Sequence, residues 1–90
     1  MKKIHLMWLG HKDYLDENAM AVRAAIRHSL IPLKSFLSDS EAIITEDSQA
    51  VSEARAALGQ DNICGVILLL LTWAECNVIM SAFKELRGLP

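Results

Sequence analysis

The stretch Gly65–Glu75, GVILLLLTWAE, contains an unbroken apolar run, Val66–Leu71, that leads directly into a Thr-Trp pair. The run shows no alternation of polar and apolar residues, which is typical of a strand covered on both faces in a parallel α/β sheet. It is too short to span a bilayer. Thr72-Trp73-Ala74-Glu75 matches the S/T-x-x-E capping box, so a helix is expected to begin directly after this strand.

The N-terminal third of the chain predicts a strand followed by helical segments. Ile4–Leu9 is apolar and is ended by Gly10, so it is predicted to be the first strand. Asp16 is a suitable N-cap for a helix whose apolar positions recur at three- and four-residue spacing. Pro32 is expected to end that helix and to open a short second one, Leu33–Leu37, as a first-turn proline.

The middle of the chain predicts a second strand and a second long helix. Ser38–Glu41 is predicted to be a polar turn and Ala42–Thr45 a short strand. Glu46-Asp47-Ser48 supplies acids and a cap for the helix that follows, and Gly59 closes it. The third strand is then expected over about Ile63–Leu71.

The last helix is predicted from Trp73 to about Arg87, with Gly88 and Pro90 as stop signals. Its spacing predicts one buried face, which comprises Cys76, Ile79, Phe83 and Leu86.

The resulting order, β-α-β-α-β-α, predicts three βα units in a single α/β domain over residues 1–90. Right-handed crossovers place the parallel strands in the order 2-1-3, a partial flavodoxin-like or Rossmann-like three-layer sandwich. The third strand is then an edge strand, although its apolarity suits the middle of a sheet. We therefore expect the domain to be an incomplete, N-terminal part of a larger one.

Composition excludes several classes of function. The formal net charge is −2 and no basic cluster exceeds Lys2-Lys3, so nucleic-acid binding has no electrostatic basis. Cys64 and Cys76 flank an extended strand and are expected to lie too far apart to bridge. Free thiols favour a reducing, cytoplasmic compartment, and no signal-peptide hydrophobic region or membrane segment is expected.

Familiar catalytic and cofactor motifs are absent from the sequence. The turn after the first strand has the single Gly10, so neither GxGxxG nor GxxxxGK[ST] is present. His11, Asp13 and Asp16 match no known metal-ligand spacing and are interpreted as a solvated loop. We therefore predict no catalytic residue, no metal ligand and no cofactor within this chain.

Three residues at the predicted carboxyl edge of the sheet are candidate substrate-binding residues. Trp73 follows the third strand, where an aromatic face can stack on a sugar ring; the alternative is a hydrophobic lid on the core. Lys12 follows the first strand, where it can donate to a hydroxylated or anionic ligand; the alternative is a solvated loop lysine. Thr72, next to Trp73, is assigned to the same site.

Two motifs suggest a family. With Leu9-Gly10-x-Lys12-x-Tyr14 after the first strand and Gly65–Trp73 before a helix that ends in Glu85-Leu86-x-x-Leu89-Pro90, the chain resembles the N-terminal domain of the L-fucose/L-arabinose isomerase-like family. The resemblance covers nearly all of the chain. It implies a sugar isomerase of which this chain is the N-terminal domain or a truncated form.

The resemblance also implies partners and a division of roles. Complete family members are oligomeric, Mn²⁺-dependent aldose–ketose isomerases whose metal ligands and catalytic acids lie C-terminal of this region. In the family, the N-terminal domain is implied to position a monosaccharide across a subunit boundary, through an aromatic residue after the third strand and a basic residue after the first. By position these would be Trp73 and Lys12. At the position of Lys12 the family more typically has Arg, and Lys lacks the planar guanidinium that binds a ligand with two hydrogen bonds. The implied partners are the remainder of an isomerase chain or identical subunits.

Two other functions remain open at the level of sequence. The chain could be a stand-alone, non-catalytic binding or assembly module that pairs through the edge of its third strand. It could also be an independent small enzyme, although no acid–base pair or nucleophile constellation supports that alternative.

Overall fold

A computed structural model describes residues 2–72 and 76–86 of the chain. The elements follow in the order β1 (Lys3–Leu9), α1 (Glu17–Ser29), a 3₁₀ helix (Ile31–Phe36), β2 (Leu37–Ile44), α2 (Asp47–Leu58), β3 (Ile63–Leu70) and α3 (Cys76–Leu86).

The sheet is parallel, three-stranded and ordered β2-β1-β3, which confirms the predicted topology. His5 of the central strand lies in register with Ser38 on one side and Val66 on the other. Pairing between β1 and β2 shifts register between Leu6 and Trp8. The most apolar strand, β3, is an edge strand among the described residues.

Different sets of side chains are buried on the two faces of the sheet. Met7 and Leu9 belong to the main hydrophobic core, in which β1 packs against α2 and α3. The core residues that α2 contributes are alanines, and because their side chains are small, α2 lies close to the strands. The buried members of this core are Met7, Leu9, Ile44, Ala50, Ala54, Val78, Ala82 and Leu86.

The opposite face is organised around Trp8, which is fully buried. Its indole N–H donates a 2.7 Å hydrogen bond to Asp39 Oδ1 on β2. Arg27 of α1 donates to both carboxylate oxygens of Asp39, at 2.8 and 3.1 Å. The guanidinium carbons of Arg23 and Arg27 each lie 5.4 Å from the Trp8 ring centroid. These contacts attach α1 to β1 and β2.

The predicted start and end of the first helix are confirmed, whereas the short second helix, predicted over Leu33–Leu37, is a 3₁₀ helix over Ile31–Phe36. The Asp16 carboxylate accepts a 3.0 Å hydrogen bond from the Ala19 N–H and caps α1. Helix α1 ends at Ser29, and Pro32 lies in the first turn of the 3₁₀ helix. The proline position therefore separates the two helices as its missing N–H requires.

The prediction of a polar turn at Ser38–Glu41 is wrong, because this segment is part of β2. Its polar side chains have partners from distant parts of the chain. Ser38 Oγ lies 2.9 Å from His5 Nδ1, and the Ser40 hydroxyl donates to Glu53 Oε2 of α2 at 2.9 Å. Tertiary hydrogen bonds thus make a strand from residues that favour turns in isolation.

Two predictions of burial are also wrong. Strand β3 is not covered on both faces, since the side chains of Ile67 and Leu70 are 44% and 56% exposed. On α3 the buried positions are Val78, Ala82 and Leu86, whereas Cys76 and Phe83 are exposed. The buried face of α3 is therefore rotated about the helix axis relative to the predicted one, with the small Ala82 facing inward in place of Phe83. The predicted end of this helix and its stop signals lie outside the described residues.

Burial of His5 predicts a pH dependence of stability. Desolvation lowers the pKa of His5 below its ordinary 6.5, although Glu53 and Asp39 oppose the shift. The unfolded chain therefore binds more protons as the pH falls through 6.5, so stability is full above that pH and declines below it. We expect His5→Gln to lessen the loss of unfolding free energy between about pH 7 and 5, measured by urea unfolding. His28→Gln, at an exposed position, serves as the control, and an equal effect of both substitutions would contradict the assignment.

Candidate ligand site at the carboxyl edge of the sheet

The carboxyl ends of the three strands are tied together by backbone hydrogen bonds. The Gly10 N–H donates to the Ile44 carbonyl at the end of β2, at 3.0 Å. The Leu71 N–H donates to the Leu9 carbonyl at the end of β1, at 2.9 Å. The segments that follow each strand therefore begin from fixed positions at one edge, where ligands bind in open α/β sheets.

Thr72 fixes the first of these segments. Its hydroxyl oxygen accepts a 2.8 Å hydrogen bond from the His11 N–H, which joins the loop after β1 to the end of β3. Gly10 leaves room for this contact, because a Cβ at that position would lie 3.1 Å from Thr72 Oγ1 and 2.8 Å from Leu15 Cδ2. Thr72 thus positions the loop that carries Lys12.

A cavity of about 230 Å³ opens at this edge. Its walls come from the loop after β1, from the end of β2 with the start of α2, and from the first turn of α3. The lining residues are His11, Lys12, Thr45, Glu46, Asp47, Asn77 and Val78.

Two of the lining side chains, Thr45 and Asp47, are held in place by local hydrogen bonds. Gln49 Oε1 accepts from the Thr45 N–H at 3.0 Å and lies 3.3 Å from the Thr45 hydroxyl. Asp47 Oδ1 accepts from the Ser48 N–H at 2.9 Å, at the beginning of α2. These bonds restrict the rotamers of two polar groups on the α2 side of the cavity.

The imidazole of His11 is oriented by its own loop. Its Nδ1 accepts a 3.1 Å hydrogen bond from the Asp13 N–H and lies 3.6 Å from the Asp13 carboxylate. The ring centroid lies 5.1 Å from that of Tyr14, in a tilted arrangement. His11 therefore presents a fixed ring to the cavity, and its Nδ1 acts as an acceptor.

The cavity combines opposite charges with neutral polar groups. Lys12 supplies a cation, Glu46 and Asp47 supply carboxylates, and Asn77 supplies both an amide donor and an acceptor. Over residues 2–72 and 76–86, no three His, Cys, Asp or Glu side chains are grouped so that they could hold a metal ion. The chemistry of this set is hydrogen bonding to a ligand that both donates and accepts.

The structure brings together two of the three residues that the sequence singled out. Lys12 is exposed and borders the cavity, and Thr72 lies at the same edge. Trp73 lies outside the described residues. The sequence interpretation missed Thr45 and Asn77 and assigned Glu46 and Asp47 to a helix start only. The position of Thr45, Glu46 and Asp47 directly after β2 is the signal that could have identified them. Asn77 lies on α3, seven residues after β3, and has no such signal.

Searches against models of protein families, against curated proteins and against solved structures gave no match to this chain. Within the described residues, none of the helices combines the length and the apolarity that crossing a membrane requires. The fold and the cavity therefore define the class of protein: a small parallel α/β domain with a mixed polar cavity at its carboxyl edge.

Proposed function

We propose that the chain binds a small polyhydroxylated ligand, a monosaccharide, in the cavity at the carboxyl edge of the sheet. The observation that carries the proposal is the close mixture of donors and acceptors from Lys12, Glu46, Asp47 and Asn77. Sugar hydroxyls donate and accept at once, so they suit such a lining better than an anion does. The cavity is smaller than the roughly 300–1,000 Å³ typical for drug-sized ligands.

Each group has a distinct part in this binding. The Lys12 ammonium donates to a sugar oxygen, and the carboxylates of Glu46 and Asp47 accept from sugar hydroxyls. The Asn77 amide does both. The backbone bond from His11 to Thr72 keeps the Lys12 loop at the cavity, so Thr72 acts as a positioning residue. In this proposal Trp73, next in sequence, stacks on the sugar ring.

The resemblance to sugar isomerases supports a larger setting for this binding. We propose an N-terminal domain or truncated form of an aldose–ketose isomerase that positions the sugar and contributes to subunit assembly in the cytoplasm. In a complete enzyme of that kind, Mn²⁺ polarises the reacting oxygens and residues elsewhere move the proton. The chain's own contribution is to hold and orient the sugar.

The alternative is a stand-alone module that binds its ligand without catalysis. Both proposals use the same cavity and differ in the size of the native polypeptide. The denatured mass of the protein purified from its own source separates them. A mass several times 10.0 kDa favours the isomerase, and a mass near 10.0 kDa favours the module.

The ligand proposal predicts that Asn77→Ala weakens sugar binding roughly three- to tenfold, the effect of losing one hydrogen bond. The measurement is an NMR titration of the ¹⁵N-labelled chain with L-fucose and with L-arabinose. Asn18→Ala is the matched control, because Asn18 is the second residue of α1 as Asn77 is of α3, and both are exposed.

Each outcome of this titration decides the proposal. Saturable shifts at His11, Thr45 and Asn77 that weaken in Asn77→Ala alone would support it. Absence of saturable shifts with both sugars, or equal weakening in both variants, would refute it.

A further inference from the structure

The two edges of the sheet differ in their protection against pairing with another chain. Strand β2, LSDSEAII, carries Asp39 and Glu41 and has a register shift against β1. Strand β3, ICGVILLL, carries no charged residue and no proline. Charges, prolines and bulges are the usual devices that prevent edge-to-edge association. Strand β2 therefore has charges as well as a register shift, whereas β3 has only a register shift at its N-terminal end, where Lys3 pairs with Ile63 and Ile4 with Gly65.

From Gly65 to Leu70 the edge of β3 is regular as well as uncharged. Its pairing with β1 runs without a shift from Ile4 and Gly65 to Leu9 and Leu70. Alternate residues along such a strand direct their N–H and C=O groups away from the neighbour they pair with. Among the described residues, no strand receives the outward groups of β3. The edge is an open row of donors and acceptors.

The side of α3 that points away from α2 carries an exposed aromatic side chain. Glu85 faces α2, where its carboxylate accepts from Arg55 at 3.2 Å. Phe83, two residues earlier, lies about 160° away around a helix of 3.6 residues per turn. Phe83 therefore points away from α2. It is 56% exposed.

We propose that a second copy of this chain pairs with β3 antiparallel to it, around a two-fold axis perpendicular to the sheet. The result is one six-stranded sheet with the strand order β2-β1-β3 in the first copy followed by β3-β1-β2 in the second. An uncharged edge suits a second copy, because the two-fold axis places the residue on the axis directly against its own equivalent, where a charge would repel itself. The proposal does not rest on the ligand site.

The alternation of side chains selects a register for this pairing. Opposite residues must point to the same face of the sheet. One residue of β3 must therefore lie directly opposite its own equivalent in the second copy, with the two-fold axis between them. An axis at Ile67 places Gly65 opposite Leu69 of the second copy. Nothing lies within 4 Å of the position that a Cβ on Gly65 would occupy, so that space accepts the leucine side chain.

The proposal predicts a dimer of about 20 kDa, twice the 10.0 kDa of the chain, by light scattering after size exclusion. Ile67→Lys should raise the dimer dissociation constant at least about tenfold, since it places two ammonium groups at the axis. Val22→Lys is the matched control, because Val22 is a β-branched residue on α1 that is 48% exposed. This control should remain dimeric.

A cross-linking variant tests the pairing independently of the lysine substitution. Opposite Cα atoms in antiparallel strands lie about 4.5–5.5 Å apart, within the range of a disulfide. With Cys64 and Cys76 replaced by serine, Ile67→Cys should form a covalent dimer on mild oxidation, whereas Val22→Cys should not. A monomeric wild-type chain, equal dissociation of both lysine variants, or no selective cross-link at position 67 would each overturn the proposal.

Discussion

Replacing Trp8 with alanine should lower the free energy of unfolding by about 4 kcal/mol, the cost typical of removing a fully buried large aromatic. Trp8 is the largest of the fully buried side chains of the described chain, and its ring lies against Arg23 and Arg27. A chain of this length has a total stability of roughly 5–13 kcal/mol. The substitution therefore removes a large part of that stability.

The measurement for Trp8→Ala is urea unfolding followed by far-ultraviolet circular dichroism. Trp8→Phe provides the comparison, because it retains a ring while it loses the indole N–H that donates to Asp39. We expect Trp8→Phe to cost about 1–2 kcal/mol. Equal losses in the two variants would show that the hydrogen bond, rather than the volume of the ring, dominates.

Replacing Asp39 with alanine should cost about 2 kcal/mol of unfolding free energy. The substitution leaves the indole N–H of Trp8 without its acceptor and deprives Arg27 of two hydrogen bonds. The Asp39 side chain is 28% exposed, so water compensates part of the loss and the effect stays below that of a fully buried ion pair.

Glu41→Ala is the matched control for Asp39→Ala. Glu41 is the other carboxylate of β2 near Arg27, at 3.9 Å from its Nη2, but its side chain is 90% exposed. Such a pair contributes little, so we expect a change of at most about 0.5 kcal/mol. Urea unfolding of both variants decides the matter. A loss for Glu41→Ala as large as that for Asp39→Ala would contradict the role given to the Trp8 hydrogen bond.

Local patterns in the sequence were sufficient to predict the topology but not the full extent of the strands. Gly10, Asp16, Pro32 and Gly59 mark boundaries through their own backbone chemistry, and the structure ends or begins elements next to each of them. The start of β2 was missed, because Ser38–Glu41 has turn-forming residues. Their partners lie up to 33 residues away, and no local pattern reveals such partners.

Prediction of the candidate site succeeded where it used topology and failed where it used residue type alone. Lys12 was found because it follows β1 at the carboxyl edge, and the same rule applied to β2 would have yielded Thr45. Asn77 does not follow from that rule, because it lies on α3, seven residues after the end of β3. Residue type alone places Asp39 in the predicted polar turn Ser38–Glu41. Its partnership with Trp8 depends on strand register, which pairs β1 with β2 only after the chain has folded.

The central position of β1 has a consequence for a chain that is still being synthesised. Lys3 and Leu9 align with Ile63 and Leu70, which are 60 and 61 residues further along. At about 5–20 residues per second, the ribosome needs roughly 3–12 s to deliver that second partner. During this interval β1 can pair only with β2, and α1 can cover Trp8. Met7, on the other face, can be covered by α2 alone during this interval, and its core is complete only when α3 has emerged.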